Sequence, residues 1–421
     1  MKIGILGLGT VGGGVVKILL DSVGRSSILS DIKLVRVGVR DIGKTRSVSL
    51  TENQLTSQLD EVVNDPTIDL IVEVMGGLEP ARSLVLQAIN NGKHIVTANK
   101  SLIAAHGSEI FALAQDKKVC VAFEAAVGGG IPVIQCLQKS LGANRVQKIT
   151  GIVNGTTNYI LSQMAEKGVS YDKALADATA QGYAEADPTA DIDGIDAAEK
   201  LSILTLVGLN CEVSSKQIPR TGIRSISAKD INYAKAMNCT IKLLANAQLN
   251  DGDNLQIDVQ PYLVENVHPL ASINNVFNAI FIEGDPVGQV MLYGKGAGEG
   301  ATASAVVSDI INIANDNATW QSDNVTPHRT KSISQETNSN FYIRILAEQK
   351  ATAAGAIAWS FGDFQVAPRT IQQQVTDEGL LEIVIITESI LRTKLDAAIS
   401  SIRGLPYIRE ISNVIPVLKA Y

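Results

Sequence analysis

Residues Ile3-Gly4-Ile5-Leu6-Gly7-Leu8-Gly9-Thr10-Val11-Gly12 run directly into Gly13-Gly14-Val15-Val16-Lys17-Ile18-Leu19, and this stretch decides the fold. Ile3 to Leu6 is a short apolar run suited to a buried strand, whereas Val15, Val16, Ile18 and Leu19 recur at helical spacing. Between them Gly7, Gly9 and Gly12 form a G-x-G-x-x-G pattern, whose backbone can approach a pyrophosphate while the helix N-terminus favours the anion. Such glycines often only make a turn. At the end of a strand and the start of a helix, they predict a dinucleotide-binding domain of the Rossmann type.

Working outward, apolar strands at 33–39, 70–74 and 94–97 alternate with helical stretches such as 80–90, which Gly92 stops; the alternation predicts parallel strands. After Pro132 the texture changes to a helix at 136–141 and a strand at 148–153. Asn154-Gly155-Thr156-Thr157-Asn158 then leads into another helix. Helical patterns at 171–181 and 194–206 and strand-like segments at 255–263 and 289–293 describe an α+β domain. The polar stretch 316–340, with Pro327, reads as a linker. Segments 341–347, 353–361, 370–375, 381–387, 390–403 and 408–416 then follow a strand–helix–strand–strand–helix–strand order, a ferredoxin-like module. The expected α/β organisation is a Rossmann-type domain at 1–130, completed by part of 290–318, a catalytic and dimerisation domain at 131–315, the linker, and a ferredoxin-like domain at 341–421.

Composition agrees. A chain of 421 residues is too long for one core, and 45% hydrophobic against 19% charged residues leaves ample material to bury. The 35 glycines against 7 Phe and 2 Trp fit an α/β protein with many turns better than a helical bundle. Lys+Arg 36 against Asp+Glu 43 gives a net charge of −7 without a basic stripe, so neither nucleic acid nor an anionic membrane is an expected partner. Cys120, Cys136, Cys211 and Cys239 form no CxxC pair, which argues against a zinc site or a disulfide framework. No basic segment, long apolar stretch or cleavage site follows Met1, and the expected location is cytoplasmic.

Several polar groups are candidates for chemistry. The residue after the second strand selects the cofactor: an acid there binds a ribose 2′-hydroxyl, an arginine a 2′-phosphate. This chain offers Arg40-Asp41 with Lys44 and Arg46 close behind, which favours NADP and leaves NAD open. Lys100 follows the strand at 94–97, at the carboxyl end where open α/β sheets bind ligands, although a lysine there is commonly just solvated. The densest polar segment is Gly182 to Lys200. In it Asp196 and Lys200 stand four apart on one expected helix face, either as an oriented pair or as an ordinary surface ion pair, and Asp187 and Asp193 suit helix caps.

At these residues the sequence resembles homoserine dehydrogenases over essentially its whole length. The resemblance rests on the glycine pattern, Thr97-Ala98-Asn99-Lys100, Phe123 to Pro132, Asn154 to Leu161, Gly182 to Lys200, and Tyr293-Gly294-Lys295-Gly296-Ala297-Gly298. It implies NAD(P)-dependent interconversion of L-homoserine and L-aspartate 4-semialdehyde on the route to threonine, methionine and isoleucine, by a homodimer or homotetramer. By position, Lys200 resembles the proton-transfer residue, with Lys100 and Asp196 beside it. Glu185 resembles the residue that binds the substrate amino group, and Asp191, Gly155 and Thr156 line the same site. Gly7, Gly9, Thr10, Val11, Gly12, Arg40, Gly76 and Lys100 fall on cofactor positions. Glu124, Val127, Gly129 and Ile131 match a sodium site built largely of backbone oxygens.

The chemistry suits these side chains. Oxidising an alcohol requires removal of the hydroxyl proton as hydride leaves carbon, and a lysine amine can accept it. A glutamate supplies the counter-charge for an α-ammonium. The C-terminal module resembles an ACT regulatory domain. Where that domain commonly carries Asp-x-Pro-Gly-Val, this chain reads Glu348-Gln349-Lys350-Ala351-Thr352-Ala353-Ala354-Gly355, which predicts a weak or absent response to threonine. The alternatives are another NAD(P)-dependent amino-acid oxidoreductase, which should lack the Asn154 and Glu185–Lys200 segments, and a non-catalytic nucleotide sensor whose lysines are surface charge.

Overall fold

Ile3, Ile5 and Leu6 of strand β1 (Lys2–Leu6) are sealed from solvent on both faces, as a strand at the centre of a helix-covered parallel sheet must be. The computed structural model describes residues 1–21, 23–250, 254–315, 333–334, 338–350 and 352–419. The chain forms two compact units. One comprises Met1–Ile149, Ala197–Ile218 and Phe277–Lys331; the other comprises Thr150–Asp196, Pro219–Val276 and Ser332–Tyr421.

In the first unit β1 pairs in parallel with β2 (Lys33–Gly38), which pairs with β3 (Leu55–Thr56). On its other side stand β4 (Leu70–Glu73), β5 (His94–Thr97) and β6 (Val121–Ala122), all parallel. The resulting order β3-β2-β1-β4-β5-β6 is that of two mononucleotide-binding halves meeting at β1 and β4. Helix Glu299–Asn315 packs on helix Thr10–Leu20 and buries Ala303, Val306, Val307 and Ile310 with Val15 and Val16. The approach is close because Gly14 has no side chain: a Cβ there would lie 2.9 Å from that of Ala303. Fully burying each Val or Ile contributes about 1.5–3 kcal/mol, so this distant segment is a principal stabiliser of the Rossmann sheet. Strand β7 (Arg145–Ile152) carries the chain from the first unit into the second.

In the second unit β8 (Cys239–Leu249) pairs antiparallel with β9 (Leu255–Glu265). The hairpin β10 (Phe277–Asp285) and β11 (Gly288–Lys295) belongs to the first unit. β8 escapes a sequence reading because most of it is buried on both faces, which erases the alternation that marks a strand, and its Leu, Ala and Lys residues suit a helix equally well. The expected helix at 136–141 begins earlier, as an α-helical turn Val133–Gln135 continuing into a π-helical turn Cys136–Ser140.

The C-terminal segments follow the expected order: β12 (Asn338–Glu348), a helix Ala353–Asp363, β13 (Pro368–Val375), β14 (Leu380–Thr387), the short β15 (Ile390–Leu391), a helix Arg392–Arg403 and β16 (Ile408–Leu418). Their order β16-β12-β14-β13 is antiparallel and ferredoxin-like. Phe341, Ile343, Ile345, Ile383 and Ile385 face Ile357, Phe361, Leu395, Ile399 and Ile402 in one core. β16 also continues the sheet of β9 through Val417–Leu263 and Leu418–Val264. Of the linker expected at 316–340, residues 316–332 and 335–337 lie outside the described residues, and β12 begins at Asn338.

Candidate active site

The glycine pattern has the geometry that its spacing implies. Gly7 adopts φ +104°, and a Cβ on it would stand 2.8 Å from Val74 O; one on Gly12 would stand 2.3 Å from Gly7 O. Only glycine lets the turn lie this close to β4 and to its own helix. A Cβ on Gly9 or Gly76 would meet nothing within 4 Å. That open space belongs to a cleft of about 560 Å³ lined by Gly7, Gly9, Gly76, Arg40, Asp41 and Lys44, a shape and polarity that fit a dinucleotide. Thr10 and Val11 are the first residues of the helix that starts there. At the cleft edge Asp41 Oδ1 accepts from Gly43 N (2.8 Å), and Arg46 binds the carbonyls of Ile42 (3.0 Å), Lys44 (2.7 Å) and Asp41. Arg46 shapes the loop, while Arg40 and Lys44 are exposed.

The carboxyl ends of β4 and β5 are locked together by a carboxylate that sequence reading passed over. Glu73 is fully buried; Oε1 accepts from Met75 N (2.8 Å) and Gly76 N (3.3 Å), and Oε2 from Thr97 Oγ1 (2.6 Å). Asn99 donates to Gly77 O (2.7 Å) and caps helix Lys100–Lys117 by accepting from Leu102 N (3.1 Å). The Gly76–Gly77 turn and the N-terminus carrying Lys100 are thus set by one network. An acid ending the apolar run Leu70-Ile71-Val72 was the available signal. Ser101 Oγ donates to the Glu199 carboxylate (3.1 and 3.2 Å), so Lys100 and Lys200, far apart in sequence, flank a single helix-to-helix contact.

In the second unit the polar segment folds around Asn154, which the sequence marks only as part of the Asn154–Asn158 run. Asn154 caps helix Gly155–Lys167, accepting from Thr157 N (2.9 Å), and its Nδ2 donates to Asp191 Oδ1 (2.6 Å) and Asp196 Oδ2 (2.9 Å). Gly155 has to be glycine, since a Cβ would lie 2.8 Å from Val276 O, and Thr156 Oγ1 donates to Tyr183 O (2.7 Å), tethering the loop that carries the exposed Glu185. Asp187 accepts from Thr189 N (3.1 Å); hydrogen bonds from Thr189 hold its carboxyl below the usual range. Asp193 pairs with Arg224 (2.6 Å), and the helix Ile195–Leu209, on which Asp196 and Lys200 stand four apart, starts after Gly194 at φ +77°.

The loop from Glu124 to Ile131 is buried except at Gly130. The Glu124 side chain accepts from Ile134 N and Gln135 N (both 2.8 Å), and burial pushes its carboxyl up to about 7. Glu124 O and Ile131 O accept backbone hydrogen bonds from Val127 N (3.3 Å) and Val133 N (2.8 Å). Val127 O and Gly129 O receive no donor among the described residues, and Gly129 holds φ +55° against Gly296. Buried carbonyls left open in this way suit a hard cation. Among the described residues no cluster of three or more His, Cys, Asp or Glu side chains could hold a metal.

A family model described as homoserine dehydrogenase matches residues 132–311, and one described as homoserine dehydrogenase, NAD binding domain, matches residues 7–124. The homoserine dehydrogenase of Synechocystis sp. is 47% identical over 433 residues, covering 99% of each chain. That of Bacillus subtilis is 35% identical over 421 residues, covering 98% of this chain and 97% of its own. The crystal structure of a homoserine dehydrogenase from Thiobacillus denitrificans is similar with a TM-score of 0.92 at 37% identity, covering 100% of this chain and 98% of the other. A hyperthermophilic archaeal homoserine dehydrogenase in complex with NADPH is similar with a TM-score of 0.62 at 29% identity, covering 74% of this chain and 97% of the other.

Proposed function

The chain belongs to the homoserine dehydrogenase family, and we propose that its Lys200 exchanges the proton of the substrate hydroxyl while Glu185 holds the α-ammonium. The activity is NAD(P)-dependent interconversion of L-homoserine and L-aspartate 4-semialdehyde, an oxidation at CH–OH that serves threonine, methionine and isoleucine synthesis. The observation that carries the assignment of the lysines is the Ser101–Glu199 contact, which both of them flank.

In the oxidative direction the hydroxyl proton passes to Lys200 Nζ as hydride leaves the carbinol carbon; the oxidised dinucleotide, when bound, would accept that hydride. Lys100, at a helix start fixed by Asn99, supports the same oxygen and the nicotinamide side. Asp196 orients Lys200 from one turn earlier, and Asp191, Gly155 and Thr156 line the homoserine site. Gly7, Gly9, Thr10, Val11, Gly12 and Gly76 form the dinucleotide cradle.

NADP is the favoured cofactor. Its 2′-phosphate suits the exposed Arg40 and Lys44, whereas Asp41, the candidate partner of a 2′-hydroxyl, is turned into its own loop by Gly43 N. A sodium ion is proposed at the backbone oxygens of Glu124, Val127, Gly129 and Ile131, supported by the two open carbonyls. Free cysteines favour a reducing, cytoplasmic setting, and the family resemblance favours a homodimer or homotetramer. The ferredoxin-like module is proposed as an ACT-like domain with little response to threonine.

The deciding experiment is a homoserine oxidation assay with NADP and NAD, each with and without threonine. Turnover preferring NADP and insensitive to threonine is expected. No turnover with either cofactor would remove the reading, and strong inhibition at low-millimolar threonine would overturn its regulatory part.

A further inference from the structure

We propose that Asn154 is a positioning residue that holds Asp191 and Asp196 together as a pair of ionised carboxylates, beyond its duty as a helix cap. The inference rests on the assignment of those two acids to the substrate site. The amide orientation is fixed by chemistry: Asn154 Oδ1 accepts from Thr157 N (2.9 Å) and contacts Thr157 Oγ1 (3.0 Å), so Nδ2 faces the other way. Its two hydrogens then serve two acceptors, Asp191 Oδ1 at 2.6 Å and Asp196 Oδ2 at 2.9 Å. Asn154 and Asp196 are buried and Asp191 is half-buried, so the two like charges are brought to one amide group where water screens them less than at an open surface. A donor hydrogen to each carboxylate oxygen offsets their mutual repulsion.

Capping alone does not explain the choice of residue. Ser, Thr, Asp and Asn all cap a helix about equally well, but of these only Asn adds two N–H donors to the capping acceptor. Of the other acids in the segment, Asp193 binds Arg224 (2.6 Å), Asp187 accepts from Thr189 N (3.1 Å), and Glu185 is exposed. Lys200 stands one helical turn beyond Asp196.

The test uses Asn154→Ser and Asn154→Asp in the full chain, since both substitutions keep a capping oxygen and lose the double donor. Expected are a melting temperature close to the parent's for Asn154→Ser, and for both variants an unchanged KM for the dinucleotide and a kcat/KM for homoserine lower by on the order of tenfold or more. The acid limb of the kcat/KM profile should move to higher pH in the order parent, Ser, Asp, because the first change removes a donor and the second also adds a negative charge. Parental kcat/KM and pH profile in Asn154→Ser would overturn the proposal, as would a loss of activity matched by a large fall in melting temperature in both variants. Asp191→Asn and Asp196→Asn separate the two levels: parental turnover in these variants overturns the site assignment itself. Lost turnover in them together with an unaffected Asn154→Ser overturns only the positioning role.

Discussion

At the scale of single residues, the two lysines carry the sharpest expectation. Lys200→Ala and Lys100→Ala should each lower kcat by about 10²–10⁴ with circular dichroism and melting temperature unchanged, since each removes an amine from the transferred proton without emptying a core. Near-parental kcat in purified Lys200→Ala would remove it from the reaction. Arg40 is argued from charge: its loss should weaken NADP at least about tenfold, from charge-assisted contacts worth about 1.5–3 kcal/mol, and leave NAD nearly unchanged. Equal losses for both cofactors in binding titrations would make Arg40 structural. Lys100, Asp196 and Lys200 stood out as candidates from spacing and resemblance. Glu73 and Asn154 did not, because a buried polar group declares itself only through partners distant in sequence.

Between elements, the decisive contact of the C-terminal module is ionic and buried. Arg344 on β12 bonds Asp230 (2.7 Å) on helix Ala228–Ala236 and Glu382 (3.1 Å) on β14, with Tyr342 and Asn413 completing the shell of Asp230. Removing one partner of such a cluster leaves buried charge uncompensated, so Arg344→Met should cost about 3–5 kcal/mol, read as a lower urea midpoint. A midpoint within experimental error of the parent's would show the cluster to be energetically idle. The module is therefore integral to its unit. Its strand and helix order was legible from short local segments, whereas its attachment through β16 and Asp230 was not.

For the whole molecule, one buried cation links stability to pH. Lys242 on β8 donates to Asn158 Oδ1 (3.2 Å), Asn274 Oδ1 (2.9 Å) and Ile273 O, and burial pushes its ammonium down to about 8 from the ordinary lysine value of about 10.5. The unfolded chain holds this proton more tightly. The penalty of about 3 kcal/mol is therefore complete below pH 8 and disappears as pH rises toward 10.5, so this group makes stability increase across that window. Comparing unfolding free energies of the parent and Lys242→Met between pH 8 and 10.5 isolates this contribution: the variant has no amine to titrate, and its curve should lack the parent's upward contribution. Parallel curves would mean that Lys242 titrates normally.

The Rossmann opening, the parallel alternation and the ferredoxin-like order follow from local patterns, since strand burial, helical period and glycine turns act over a few neighbouring residues. The strand β8, the packing of helix Glu299–Asn315 on Thr10–Leu20, the Glu73 network and the Asn154 clamp depend on chain segments tens to hundreds of residues apart. Their partners are chosen by close packing and by the need to satisfy buried polar groups, and both conditions exist only once the chain has folded.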